Sequence, residues 1–87
     1  MIDDNKAELK LINEAFIATK FPRDLITFTS AEAAYYYIEK HFGSIFIIMC
    51  DINMPGMSGP DLLEKINANP DVRLDTIPFI FSLTPMI

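Results

Sequence analysis

The sequence predicts an α/β fold with a parallel sheet. Two observations carry that prediction. Segments of helical and strand character alternate along the chain, in the order helix, strand, helix, strand, helix, strand. The strand segment Ile45–Cys50 is continuously apolar rather than alternating, as expected of a strand covered on both faces in a parallel sheet. In such sheets the crossovers are right-handed and ligands gather beyond the carboxyl ends of the strands.

The first helix begins at Asp4 or Asn5. Leu9, Ile12 and Phe16 form one apolar row, with Leu11, Ala15 and Ala18 in a second, and the two predict one wide buried face. Asn5 with Glu8 three residues later fits a capping box, and Pro22 follows the stop. Leu25–Phe28 reads as a short strand. Ser30 caps a helix from Ala31 to about Phe42, ended by Gly43. After the strand Ile45–Cys50, the stretch Asp51–Gly59 is a loop, and Pro60 suits the first turn of a third helix with Leu62, Leu63 and Ile66 inward. Asn69–Pro70 stops that helix. Ile77–Leu83 is a further apolar strand, opened by Pro78 and closed by Pro85.

The 87 residues form one domain, residues 1–87, and 51% of them are hydrophobic, which excludes a disordered chain. A net charge of −5 argues against a binder of nucleic-acid phosphates. The single cysteine excludes an internal disulfide, and no Cys/His set has zinc-ligand spacing. The longest apolar run, Ile45–Cys50, is far too short to span a membrane, and no signal peptide is visible. The expected compartment is the cytoplasm.

The chemistry lies in carboxylates at strand ends. Asp51 directly follows the buried run. Asp3 and Asp4 precede the first helix, at the end of a strand of which only Met1 and Ile2 are present. Taken singly, an acid before a helix is a cap or a complement to the helix dipole, and an acid after a strand is a turn residue. Together, at one lip of a parallel sheet, they would repel one another unless a hard cation neutralised them. Mg²⁺ suits a set of carboxylates, waters and a phosphate oxygen.

The string Asp51-Ile52-Asn53-Met54-Pro55-Gly56-Met57-Ser58-Gly59 resembles the loop that follows the third strand of response-regulator receiver domains, and Ile2-Asp3-Asp4 resembles the acidic pair ending their first strand. The resemblance implies a flavodoxin-like, doubly wound parallel sheet of order 2-1-3-4-5. It implies Asp51 as the phosphoacceptor toward a phosphohistidine. Mg²⁺ would be held by Asp4, Asp51 and the Asn53 carbonyl, with Asp3 acting through water. The implied partner is a sensor histidine kinase or phosphotransfer protein.

Two departures from the family pattern stand out. The switch hydroxyl near the end of the fourth strand falls at Leu83 by spacing, flanked by Ser82 and Thr84. Thr84 is favoured as the one nearer the carboxyl end, although Pro85 replaces the small residue usual after it. The family's fifth-strand lysine has no counterpart, since no lysine follows Thr84. The sequence thus reads as a partial receiver domain, with its first strand mostly absent and its fifth strand and last helix absent. Loss of the central first strand is expected to split the sheet, and exposed edges are expected to recruit another chain, with a homodimer as one result.

The remaining candidates have ordinary explanations. Tyr35, Tyr36 and Tyr37 on one helix are core edge rather than a base-stacking platform. Cys50 is a buried strand end, His41 complements a helix terminus, and Met49, Met54 and Met57 fill gaps. A metal-dependent phosphohydrolase with an aspartyl-phosphate intermediate is the alternative activity. Asn53 stands where such enzymes often carry a general acid, so turnover is expected to be poor. A receiver-like interaction module that is never phosphorylated is the other alternative.

Overall fold

The structure is a computed structural model and describes residues 1–52, 54, 56–74 and 77–82. Its elements run α1 (Lys6–Ala18), α2 (Ala31–His41), a 3₁₀ turn (Phe42–Ser44), β1 (Ile48–Asp51), α3 (Gly59–Asn67) and β2 (Phe79–Ser82). The helix starts follow local chemistry. Asn5 accepts from the amides of Ala7 and Glu8, and Ser30 accepts from that of Ala33. Ser58 and Asp61 form a reciprocal capping box ahead of α3. Asn5 caps α1, but the reciprocal contact expected from Glu8 is not formed, because Glu8 turns toward Asp3 instead.

β1 and β2 pair in parallel, with Ile48 opposite Phe79 and Asp51 opposite Ser82. The first strand is three residues of backbone. Ile2 donates to the Met49 carbonyl at 2.8 Å and accepts from the Asp51 amide at 2.9 Å. On its other side the Met1 carbonyl accepts from Phe28 and the Asp3 amide donates to the Phe28 carbonyl, both at 3.0 Å. Successive residues of a strand address opposite neighbours, so even this remnant holds both. The segments therefore lie in the order Phe28, Ile2, β1, β2. That is the 2-1-3-4 part of a flavodoxin-like sheet, incomplete as the sequence predicts.

Four expectations are corrected. The sheet is not split, because Met1–Asp3 bridge it. The strand Leu25–Phe28 shrinks to a single bridge, in which Phe28 pairs with Ile2. The run Ile45–Cys50 is strand only from Ile48, and it is not covered on both faces: Met49 and its partner Ile80 are 37% and 43% exposed. The second row of α1 is likewise open, with Leu11 66% exposed and Ala15 and Ala18 also exposed. Apolar composition marks residues able to be buried; among the described residues nothing buries Met49, Ile80 or Leu11.

The core lies on the other side, where Ala34, Tyr35 and Ile38 of α2 meet Leu62 and Ile66 of α3 over Ile2, Ile48 and Cys50. Leu63 is only half-buried. Asn69 Nδ2 donates to the Tyr35 hydroxyl at 3.0 Å and to Glu39 Oε2 at 3.1 Å, tying the end of α3 to α2. Of the tyrosine triple, Tyr35 is buried and Tyr36 exposed. Tyr37 lies between Phe28 and the His41 ring, whose centroid is 4.4 Å away.

Candidate functional site

The site lies at the carboxyl lip of the sheet. Asp51 ends β1 and is 3% exposed, and Asp3 ends the first-strand remnant and is 2% exposed. Their backbones are fixed by the ladder bonds of Ile2, which is why two acids distant in sequence meet. Glu8 joins them from the first turn of α1. Carboxylate oxygens of Asp3, Glu8 and Asp51 all lie within 4.8 Å of one another.

Asp3 Oδ1 accepts from the Asn5 amide at 2.9 Å. The Asp3 carboxyl is nevertheless raised from 3.8 to about 6. Burial is the main cause, Asn5 opposes it, and Glu8 adds to it through a hydrogen bond and its charge, as does the charge of Asp51. Glu8 is thus a neighbour whose hydrogen bond and charge both favour the protonated form of Asp3. Three oxygen donors this close, two of them buried, suit a hard divalent cation that neutralises them.

The loop after β1 brings α3 close to this lip. Gly56 sits at φ 78°, where a glycine is the natural residue. At Gly59 a Cβ would lie 3.0 Å from the Phe81 ring and 3.1 Å from the Asp51 carbonyl oxygen. Met54 is buried beneath the loop. Cys50, behind Asp51, is raised from 9.0 to about 11, chiefly by burial and then by the charge of Asp51, which leaves its thiol protonated and unreactive.

Asp3 and Asp51 are thus brought together as the sequence predicts. Asp4 is exposed and is not in the cluster. Asn53 and Thr84 lie outside the described residues. Ser82, the other hydroxyl candidate, is the register partner of Asp51, and its carbonyl accepts from the Ile52 amide at 3.1 Å. Glu8 was hidden by its plausible role as a cap. The signal that could have found it is its place four and eight residues before Ile12 and Phe16, at the head of the row that faces the sheet.

Comparison with known proteins gives a family match. The family model described as response regulator receiver domain matches residues 1–82. Among curated proteins, the chain is 31% identical over 68 residues to the 3′,5′-cyclic-nucleotide phosphodiesterase regA of Dictyostelium discoideum, an alignment covering 78% of this chain and 8% of that protein. It is 24% identical over 78 residues to the response regulator Rcp1 of Synechocystis, covering 84% of this chain and 53% of that protein. The chain therefore spans about half or less of the relatives it matches. No solved structure matches.

Proposed function

The chain belongs to the response regulator receiver domain family, and on that premise we propose that it is a phosphoacceptor in which Asp51 takes a phosphoryl group from a phosphohistidine. The donor is a sensor histidine kinase or a phosphotransfer protein, and the domain works in the cytoplasm. The observation that carries the reading is the buried Asp51 at the strand lip with Asp3 and Glu8 beside it. Among the described residues no helix is long and apolar enough to cross a membrane.

One Asp51 carboxylate oxygen attacks phosphorus and forms the new P–O bond. The P–N bond of the donor breaks, and its electron pair returns to the imidazole nitrogen, which takes up a proton. The obstacle is repulsion between the carboxylates and the phosphoryl oxygens. When bound, Mg²⁺ supplies the charge neutralisation that removes most of it. Asp3, Glu8 and Asp51 would hold the ion, with Asp4 and the Asn53 carbonyl as the further donors implied by the family pattern. A hydroxyl from Thr84 or Ser82 would report the phosphoryl group to the rest of the domain. The chain acts as a signalling acceptor rather than a turnover enzyme, and its net charge of −5 argues against this piece binding nucleic acid itself.

The test is incubation with a small phosphodonor and MgCl₂, followed by borohydride reduction and peptide mapping by mass spectrometry. The expected result is stoichiometric label on Asp51 that is lost in Asp51→Asn. Continuous phosphate release would favour the phosphohydrolase, and no label would favour the unphosphorylated interaction module.

A further inference from the structure

We propose that Glu8 makes the cation site of this domain prefer Ca²⁺ to Mg²⁺, so that Ca²⁺ is a competing occupant that slows phosphoryl transfer to Asp51. The inference rests on the reading of Asp51 as a metal-assisted phosphoacceptor and adds to it which ion the cluster favours. The acids of the family pattern stand at strand ends, whereas Glu8 brings a further carboxylate from the first turn of α1. Asn5 caps that helix, and Glu8 turns to Asp3 instead of closing a capping box. The three donors differ in freedom. Asp3 and Asp51 are 2% and 3% exposed, and the ladder bonds of Ile2 and Asp51 pin their backbones. Asp3 also has one oxygen engaged by the Asn5 amide at 2.9 Å. Glu8 is half-buried and carries the longer side chain, so it is the donor able to adjust to the ion.

Two requirements separate the ions. The first is hydration. Mg²⁺ is usually bound through one or two carboxylates and keeps several waters, which it gives up reluctantly. A third carboxylate asks it to give up one more. Ca²⁺ accepts about six to eight oxygens in flexible geometry and takes a carboxylate by one oxygen or by both. The second is spacing. Neighbouring oxygens on an octahedral Mg²⁺ stand about 2.9 Å apart, against about 3.5 Å at Ca²⁺ bond lengths. The carboxylates of Asp3, Glu8 and Asp51 are gathered within 4.8 Å and repel one another, so the wider arrangement carries less repulsion. With Asp3 and Asp51 alone, both requirements relax to the two-carboxylate pattern that suits Mg²⁺. The preference therefore lies with Glu8. An ion drawing on all three carboxylates engages the Asp51 oxygens and leaves them less available for attack.

The experiment is calorimetric titration of the full chain with CaCl₂ and with MgCl₂, repeated on Glu8→Gln. The wild type is expected to bind Ca²⁺ about tenfold more tightly than Mg²⁺. Glu8→Gln keeps the shape and one oxygen donor but loses the charge and the second carboxylate oxygen. It should cost about tenfold for Mg²⁺ and about a hundredfold for Ca²⁺, bringing the two affinities level. Thermal melts give a second reading. The rise in melting temperature with CaCl₂ should exceed that with equal MgCl₂ in the wild type and match it in the variant. Ca²⁺ added over Mg²⁺ should slow phosphodonor labelling of Asp51 in the wild type, and much less in Glu8→Gln. Tighter binding of Mg²⁺ by the wild type, or an affinity ratio unchanged in Glu8→Gln, would overturn the preference, while labelling with Mg²⁺ alone would leave the phosphoacceptor reading standing. Ca²⁺ binding that leaves the labelling rate untouched would overturn the competition. Binding of neither ion would overturn the cation site and the preference with it.

Discussion

Asp51 and Ser82 are register partners at the carboxyl ends of two parallel strands, so their side chains share one face of the sheet and one lip. That places a hydroxyl on the strand next to the proposed phosphoacceptor. Ser82→Ala is expected to leave phosphodonor labelling of Asp51 within about twofold, because the lost group donates a single hydrogen bond and does not attack. The same substitution should shrink the amide shifts that labelling causes in α3. Comparing Ser82→Ala with Thr84→Ala by NMR assigns the switch, and the variant with the smaller response identifies it.

Glu8 stands inside the acidic cluster and Asp4 outside it. Glu8→Gln removes a charge and a donor oxygen from the proposed ion. It is expected to weaken Mg²⁺ binding by about tenfold, the loss of one charge-assisted contact. Asp4→Ala is expected to cost less. Titration calorimetry of both variants decides between the geometry of the cluster and the family pattern, in which Asp4 ligates directly.

The pH dependence follows from Asp3. Its carboxyl titrates near 3.8 when unfolded and at about 6 when folded, so the metal-free fold holds its proton more tightly than the unfolded chain does. The stabilisation is full below about pH 4 and is lost as the pH rises to 6. Thermal melts without metal should therefore fall across that window. Added MgCl₂ should raise the melting temperature above pH 6 and do progressively less below it, where protons compete for the same oxygens. In Glu8→Gln the metal-free inflection should move to lower pH, since Glu8 raises Asp3.

Gly59 has no room for a side chain. A methyl group there would press on the Phe81 ring and on the Asp51 backbone oxygen, and the oxygen cannot swing aside. Gly59→Ala is expected to destabilise by about 1–3 kcal/mol despite the helix propensity of alanine. Phe81→Leu in the same background should recover part of the loss and leave the backbone clash. Urea denaturation of the single and double variants measures both.

Lys20 adopts φ 55° just past the end of α1, a left-handed position that carries a penalty for a residue with a Cβ. Its amide donates to the Ile17 carbonyl at 3.1 Å, so the conformation is used to close the helix. Lys20→Gly should stabilise the protein by about 1 kcal/mol. A rise in the urea midpoint with an unchanged slope is the expected reading.

The helices were legible because their starts are local. Asn5 and Ser30 cap the helices read from them, and the apolar spacing of α2 and α3 names the residues that meet in the core. The strand order was legible through the resemblance carried by the Asp51–Gly59 loop. Strand lengths were not, because pairing depends on what lies alongside: Leu25 and Ile45 have strand-forming character but no ladder partner among the described residues. Nor was the exposure of Met49, since a sequence shows what could be covered and not what covers it. In the candidate site the two buried aspartates followed from strand-end logic. Glu8 did not, because the same residue at the same position also satisfies the rule for a helix cap.

The three-residue first strand also sets an order of events during synthesis. Met1–Asp3 are made before either of their neighbours, yet they can be pinned only after Phe28 and then Met49–Asp51 have emerged, and Ile48 is itself anchored by the later Pro78 carbonyl. Helices α1 and α2 can form from local bonds while the chain is growing, but the sheet that joins them waits for its distant partners. The nascent chain therefore carries no assembled carboxylate cluster. Metal ions can reward the finished fold, but they have nothing to grip in the half-made one.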